Sequence, residues 1–144
     1  MYVSLSFFCP VRAETVESYF PIQDLGRFLS EKFDLATIRS SFGPRRTPAK
    51  RTFADFGIKP SQLAEEYVVF LIPGDWKYEI RVVARGDFNG DGIEDLKVCF
   101  FDRALNGGTY ASTQGLLLTR YSGDGYVIAL SYDLEDGLCP GYAR

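Results

Sequence analysis

The stretch Trp76–Phe101, "WKYEIRVVARGDFNGDGIEDLKVCFF", decides the fold. Its first part alternates, with Trp76, Tyr78, Ile80, Val82 and Ala84 on one side, Lys77, Glu79, Arg81 and Arg85 on the other, and Val83 out of step. Period two with apolar and charged partners is the pattern of a strand that has one buried and one wet face. Leu96–Phe101 is apolar again. A connection rich in Gly, Asn and Asp joins the two runs, so the expectation is an antiparallel hairpin.

The pattern extends in both directions. Downstream, Leu116–Tyr121 reads as a strand, and "SGDG" at Ser122–Gly125 is a hairpin turn into Tyr126–Tyr132. Upstream, "YVVFLI" at Tyr67–Ile72 reads as a buried strand that ends at the turn Pro73-Gly74-Asp75. Earlier residues follow a helical period. Pro21 suits a first helical position, and Ile22, Leu25, Phe28, Leu29 and Phe33 make one apolar stripe. Asp34 suits the cap of a second short helix carrying Leu35, Ile38 and Phe42, stopped by Gly43 and Pro44. Residues 43–66 read as an irregular connection with one turn at Ser61–Glu65. Helices first and strands afterwards predict an α+β fold: N-terminal helices packed on a mostly antiparallel meander of about four to five strands.

The composition narrows the function. A chain of 144 residues, 46% hydrophobic and 24% charged, suits one globular domain. A formal net charge of -3 offers no broad positive field for nucleic acid. The basic run Arg45, Arg46, Lys50 and Arg51 is broken by Pro48 and reads as a solvated loop. The sequence holds no His, which removes Ser-His-Asp and Cys-His arrangements, the usual zinc sites and the commonest general base.

The hairpin turn carries the most chemistry. Counting from Asp87, side-chain oxygens stand at the first, third, fifth and ninth places: Asp87, Asn89, Asp91 and Asp95. Hard cations such as Ca2+ take six to eight oxygens, and alternate positions in a tight loop converge on one centre, with the Ile93 carbonyl supplying another place. Glu94 adds a further carboxylate to the crowd, whose mutual repulsion a divalent cation removes. The plain alternative is an ordinary turn built on Asn89-Gly90 and Asp91-Gly92 with solvated acids. An EF-hand is ruled out because Val98 stands where a bidentate Glu is required and the flanks are strands. The segment "DFNGDGIED" instead resembles the calcium loop of the FG-GAP and VCBS repeats of integrin-type β-propellers and secreted bacterial proteins. That resemblance implies a structural Ca2+ held by Asp87, Asn89, Asp91, Asp95 and the Ile93 carbonyl. It covers only the loop at 87–95 and occurs once, so it carries no propeller fold with it.

Residues 1–13, "MYVSLSFFCPVRA", read as a signal-peptide remnant cut after Ala13, although no basic residue precedes the apolar run. An amphipathic strand with Val3, Leu5, Phe7 and Cys9 on one side is the other reading. The signal reading leaves 14–144 as a single α+β domain in a periplasmic or secreted setting, and it removes Cys9. Cys99 and Cys139 are then the natural disulfide pair, closing the C-terminal tail onto the sheet; a buried Cys99 thiol is the alternative.

No nucleophile elbow, P-loop or Ser-x-x-Lys motif is evident, and a glycosidase-like pair drawn from Asp102, Asp75, Glu65 and Glu66 is the minority reading. The connection Asp102–Gly115, "DRALNGGTYASTQG", reads as a long polar loop that displays Arg103 and Tyr110 as anchors for a protein partner. In outline, the chain looks like the periplasmic inhibitors and immunity proteins kept against cell-envelope hydrolases. The expected function is therefore a non-enzymatic exported binding protein. A cell-wall or carbohydrate-binding module is the alternative.

Overall fold

The computed structural model describes residues 15–38, 43–44, 47–132, 134 and 137–139. Its frame is one antiparallel sheet in sequence order: β1 Gln62–Leu63, β2 Tyr67–Ile72, β3 Trp76–Gly86, β4 Asp95–Ala104, β5 Ala111–Thr119 and β6 Ile128–Tyr132. One helix, α1 Leu25–Lys32, and a 3-10 turn at Leu35–Thr37 precede it. The expected α+β arrangement of N-terminal helices on four to five strands is thus overturned in favour of a six-stranded, mostly antiparallel sheet with one short helix. None of the described helices is long and apolar enough to cross a membrane. The leader reading of residues 1–13, the Phe42 end of the second helix, and Arg45 and Arg46 lie outside the described residues.

Tertiary partners shorten the helices. Before α1 the chain is tied to the β1–β2 connection: Asp24 N–H donates to Glu65 Oε2 (2.9 Å) and Leu25 N–H to the Glu65 carbonyl (3.1 Å). Pro21 therefore precedes the helix rather than opening it, and Ile22 is 90% exposed instead of part of the apolar stripe. Past Lys32, the backbone turns to the approach to β6. Phe33 bridges Val127 in parallel, Val127 N–H donates to the Lys32 carbonyl and Asp34 N–H to the Val127 carbonyl, each at 2.8 Å. Asp34 does act as a cap, its side chain accepting from Ala36 N–H, but the helix it opens is a single 3-10 turn. Ser61–Glu65 contains β1 in place of a turn, because Ser61 and Ala64 N–H donate to Val69 and Tyr67 carbonyls.

Leu25, Leu29, Phe33, Leu35 and Phe53 cover one face of the sheet, packing with Val68, Phe70, Ile80, Val98, Phe100, Leu116 and Leu118. Phe53 stacks on Phe70 with ring centroids 3.9 Å apart. The helix comes close enough to β2 that a Cβ at Gly26 would lie 2.4 Å from the Tyr67 carbonyl oxygen, so this position admits glycine alone.

The irregularity at Val83 is a β-bulge: Val82 pairs with Val98, and the next pair is Ala84 with Lys97. The extra residue reverses the alternation after it. Arg85, opposite Leu96, therefore shares the helix-bearing side, and Ala84, opposite Lys97, the other. On that other face Cys99 and Cys139 form a disulfide, with Cα atoms 5.5 Å apart. The bridge and the Leu134 N–H bond to the Gly115 carbonyl (3.0 Å) hold the C-terminal segment against β4 and β5.

Candidate metal centre

The loop between β3 and β4 begins where pairing stops at Gly86 and Asp95. Gly90 and Gly92 have φ of 76° and 81°, conformations that cost glycine little and let the chain wind into a tight coil. Asp87 organises the coil. Its Oδ1 accepts from Gly90 N–H (2.8 Å) and Asp91 N–H (3.2 Å), and its Oδ2 from Gly92 N–H (2.9 Å). These backbone donors, Gly92 first, hold the Asp87 carboxyl below its ordinary pKa. Asp91 Oδ1 accepts from Ile93 N–H (3.0 Å), and the Asn89 carboxamide donates through Nδ2 to Asp91 Oδ2 and accepts at Oδ1 from Asp91 N–H, both at 3.3 Å.

Asp95 differs from the other two. It is fully buried, its Oδ2 accepts from Phe88 N–H (3.0 Å), and its Oδ1 has no hydrogen-bond partner. Burial, with the charges of Asp91 and Asp87 behind it, raises its pKa. The nearby Thr119 hydroxyl favours the ionised form, although it lies outside normal hydrogen-bond geometry, so its Oγ1 also has no partner. Asp87, Asp91 and Asp95 present ligand oxygens all within 4.8 Å of one another, and the cluster could hold a metal ion.

The predicted residues do not all behave alike. Asp87, Asp91 and Asp95 converge, and Asn89 joins through Asp91. Ile93 lies in an extended bridge to Glu17, in which Glu17 N–H donates to the Gly92 carbonyl (2.9 Å) and Glu94 N–H to the Glu17 carbonyl (2.8 Å). Glu94, counted with the crowd, turns away. It pairs with Arg85 at 2.6 Å and accepts from the Ser18 hydroxyl at 2.9 Å. The sequence had shown neither the N-terminal segment nor Thr119 as neighbours of the loop, because no local spacing links them to it.

The other candidates separate. β4 continues to Ala104 and β5 starts at Ala111, so Asp102, Arg103 and residues 111–115 are strand and the polar loop is shorter than expected. Cross-strand pairing of Ser112, Thr113 and Gln114 with β4 outweighs their loop-like composition. Arg103 lies opposite Lys77 on the tail-bearing face, whereas Tyr110 rests beside Trp76 with ring centroids 5.7 Å apart. They do not form one anchor. Asp102 is not a solvated strand-end acid: it is 1% exposed and accepts from Trp76 Nε1–H and, at 2.9 Å, from Gly43 N–H. Burial raises its pKa and also raises that of Tyr78. Glu65, proposed as its companion acid, is instead bound to Asp24 N–H.

Fold and site together define an antiparallel six-stranded sheet with one short helix and a carboxylate-lined hairpin loop able to take a metal ion. Comparison with family models, curated proteins and solved structures finds no match to the chain.

Proposed function

We propose that the chain is a non-enzymatic exported binding protein whose hairpin loop holds a structural Ca2+. The observation that carries the metal reading is the fully buried Asp95 carboxylate, one oxygen of which has no hydrogen-bond partner, clustered with the carboxylates of Asp87 and Asp91. A buried carboxylate oxygen with no donor is costly, and a cation compensates it where water cannot. Carboxylates in an irregular loop suit the large, flexible coordination of Ca2+ better than the strict octahedron of Mg2+. The extended backbone at Ile93 favours its role as the carbonyl ligand. Its N–H points to Asp91, and the C=O of an extended residue lies on the same side as the N–H. The disulfide suits an oxidising compartment, in keeping with export to the periplasm or beyond. The test is thermal unfolding of the metal-stripped protein with EGTA or with excess Ca2+. At a hundredfold excess over Kd, the ion stabilises by about 2.7 kcal/mol and the midpoint rises. Equal midpoints overturn the reading.

The partner reading, an inhibitor or immunity protein for a cell-envelope hydrolase, draws support from the face of β3 and β4 that carries the tail. Lys77 and Arg103 are directly opposed there, while Glu79 is offset by Arg81 at 3.6 Å. Like charges across a ladder are unfavourable until an acidic partner lies over them. A recess of about 200 Å³ is lined by Lys77, Glu79, Phe101 and Arg103. Capture of a hydrolase from periplasmic extract by the wild type, lost in Lys77→Glu/Arg103→Glu, supports this role. Retention on peptidoglycan alone replaces it with a wall-binding module, a reading weakened by the engagement of Trp76 with Asp102.

A further inference from the structure

We propose that Thr119, far from the loop in sequence, belongs to the metal centre: when an ion binds, its hydroxyl closes onto Asp95 Oδ1, donates to it and fixes that carboxylate in its ligating orientation. The inference rests on the metal reading above and adds to it a residue of β5. Three buried side-chain oxygens among the described residues lack a hydrogen-bond partner, and two of them are Asp95 Oδ1 and Thr119 Oγ1. Both residues are fully buried. They stand one step beyond the Leu96–Leu118 pair of the β4–β5 ladder, so they are opposite each other and share one face of the sheet.

The chain reaches this point through Leu116, Leu117 and Leu118, and a valine in place of Thr119 would keep the shape without sealing in a hydroxyl. The hydroxyl has a use once Asp95 carries an ion. Oδ2 already accepts from Phe88 N–H, so this single donor holds one side of the carboxylate. A second donor at Oδ1 stops the group from rotating about its bond and leaves its remaining lone pairs directed at the centre formed with Asp87 and Asp91. Such outer partners of metal-bound carboxylates commonly contribute tenfold or more to affinity. Thr119 is a positioning residue in this scheme, and the ion is held by the loop.

The experiment is calorimetric titration of Ca2+ into metal-stripped wild type, Thr119→Val and Thr119→Ser, with unfolding of all three in EGTA. The expected result is affinity weaker by about tenfold in T119V, most of it recovered in T119S. The T119V midpoint in EGTA should equal or exceed that of wild type, because a sealed, unpaired hydroxyl has been removed. Equal Ca2+ affinity in T119V and wild type overturns the role of Thr119 while leaving the metal reading intact. Loss in T119V without recovery in T119S overturns it as well, since shape rather than the hydroxyl would then matter. A wild type that takes up no Ca2+ overturns both.

Discussion

Asp102 and Arg120 show how much a single buried charge can depend on its surroundings. Burial raises the Asp102 pKa from its ordinary 3.8, and the Trp76 and Gly43 donors offset this only in part. An acid with a raised folded pKa holds its proton more tightly folded than unfolded. Its contribution to stability is therefore greatest below 3.8 and is lost as pH rises through the folded value. Asp102→Asn does not titrate, so the stability of wild type relative to this variant should fall between pH 3.8 and the folded pKa and level off above it. Urea unfolding at a series of pH values measures this, and a wild type that gains stability relative to the variant as pH rises contradicts it. Arg120 is 6% exposed and gives Nε–H to the Gly125 carbonyl (2.7 Å) and its terminal nitrogens to the Tyr19 and Gly123 carbonyls (both 2.8 Å), with Phe28 beneath the guanidinium. Hydrogen bonds from a charged donor are worth about 1.5–3 kcal/mol each and are not additive, so Arg120→Met should cost about 3 kcal/mol in urea unfolding. Arg120→Lys should recover little of it, because one ammonium cannot span three carbonyls.

At the scale of elements, what the sequence made legible was whatever is local. The β3 and β4 hairpin follows from period-two alternation and the convergence of Asp87, Asp91 and Asp95 from their spacing, whereas Val83 showed only as an exception to the alternation and the bulge there puts Ala84 and Arg85 on the opposite faces from those expected. The ends of α1 were not legible, because Glu65 and Val127, distant in sequence, determine them. For the same reason Glu94 was miscounted among the loop acids: its partners Ser18 and Arg85 come from an edge segment and from beyond a bulge. The docking of the N-terminal segment on the loop leads to a prediction. Glu17 bonds the backbone on both sides of Ile93, so any tightening of the coil by Ca2+ should reach the bridge directly. In hydrogen exchange, EGTA should speed the Glu17 and Glu94 amides while the Val98 and Phe100 amides inside β4 keep their protection. Uniform change across β4, or none at Glu17, argues against this coupling.

For the whole molecule, the two faces of the sheet are held by different means. One face is buried under Leu25, Leu29, Phe33, Leu35 and Phe53. The other carries the charged rows of β3 and β4, with the C-terminal segment fastened by the disulfide Cys99–Cys139 across a sequence separation of 40. In the chain-entropy model, a loop of that length contributes about 4 kcal/mol, an upper figure for a tail attached to an already complete ladder. The Cys99→Ala/Cys139→Ala variant should therefore lose about 2–4 kcal/mol in urea unfolding compared with the oxidised wild type. Its Ca2+ affinity should stay close to wild type. Asp95 is positioned by pairing with Gly86 on one side and by the β4–β5 ladder on the other, neither of which needs the tail. Unfolding and calorimetric titration on the same variant separate the two effects. If affinity fell together with stability, the tail would have to be counted among the supports of the loop, and the disulfide would control the metal centre as well as the fold.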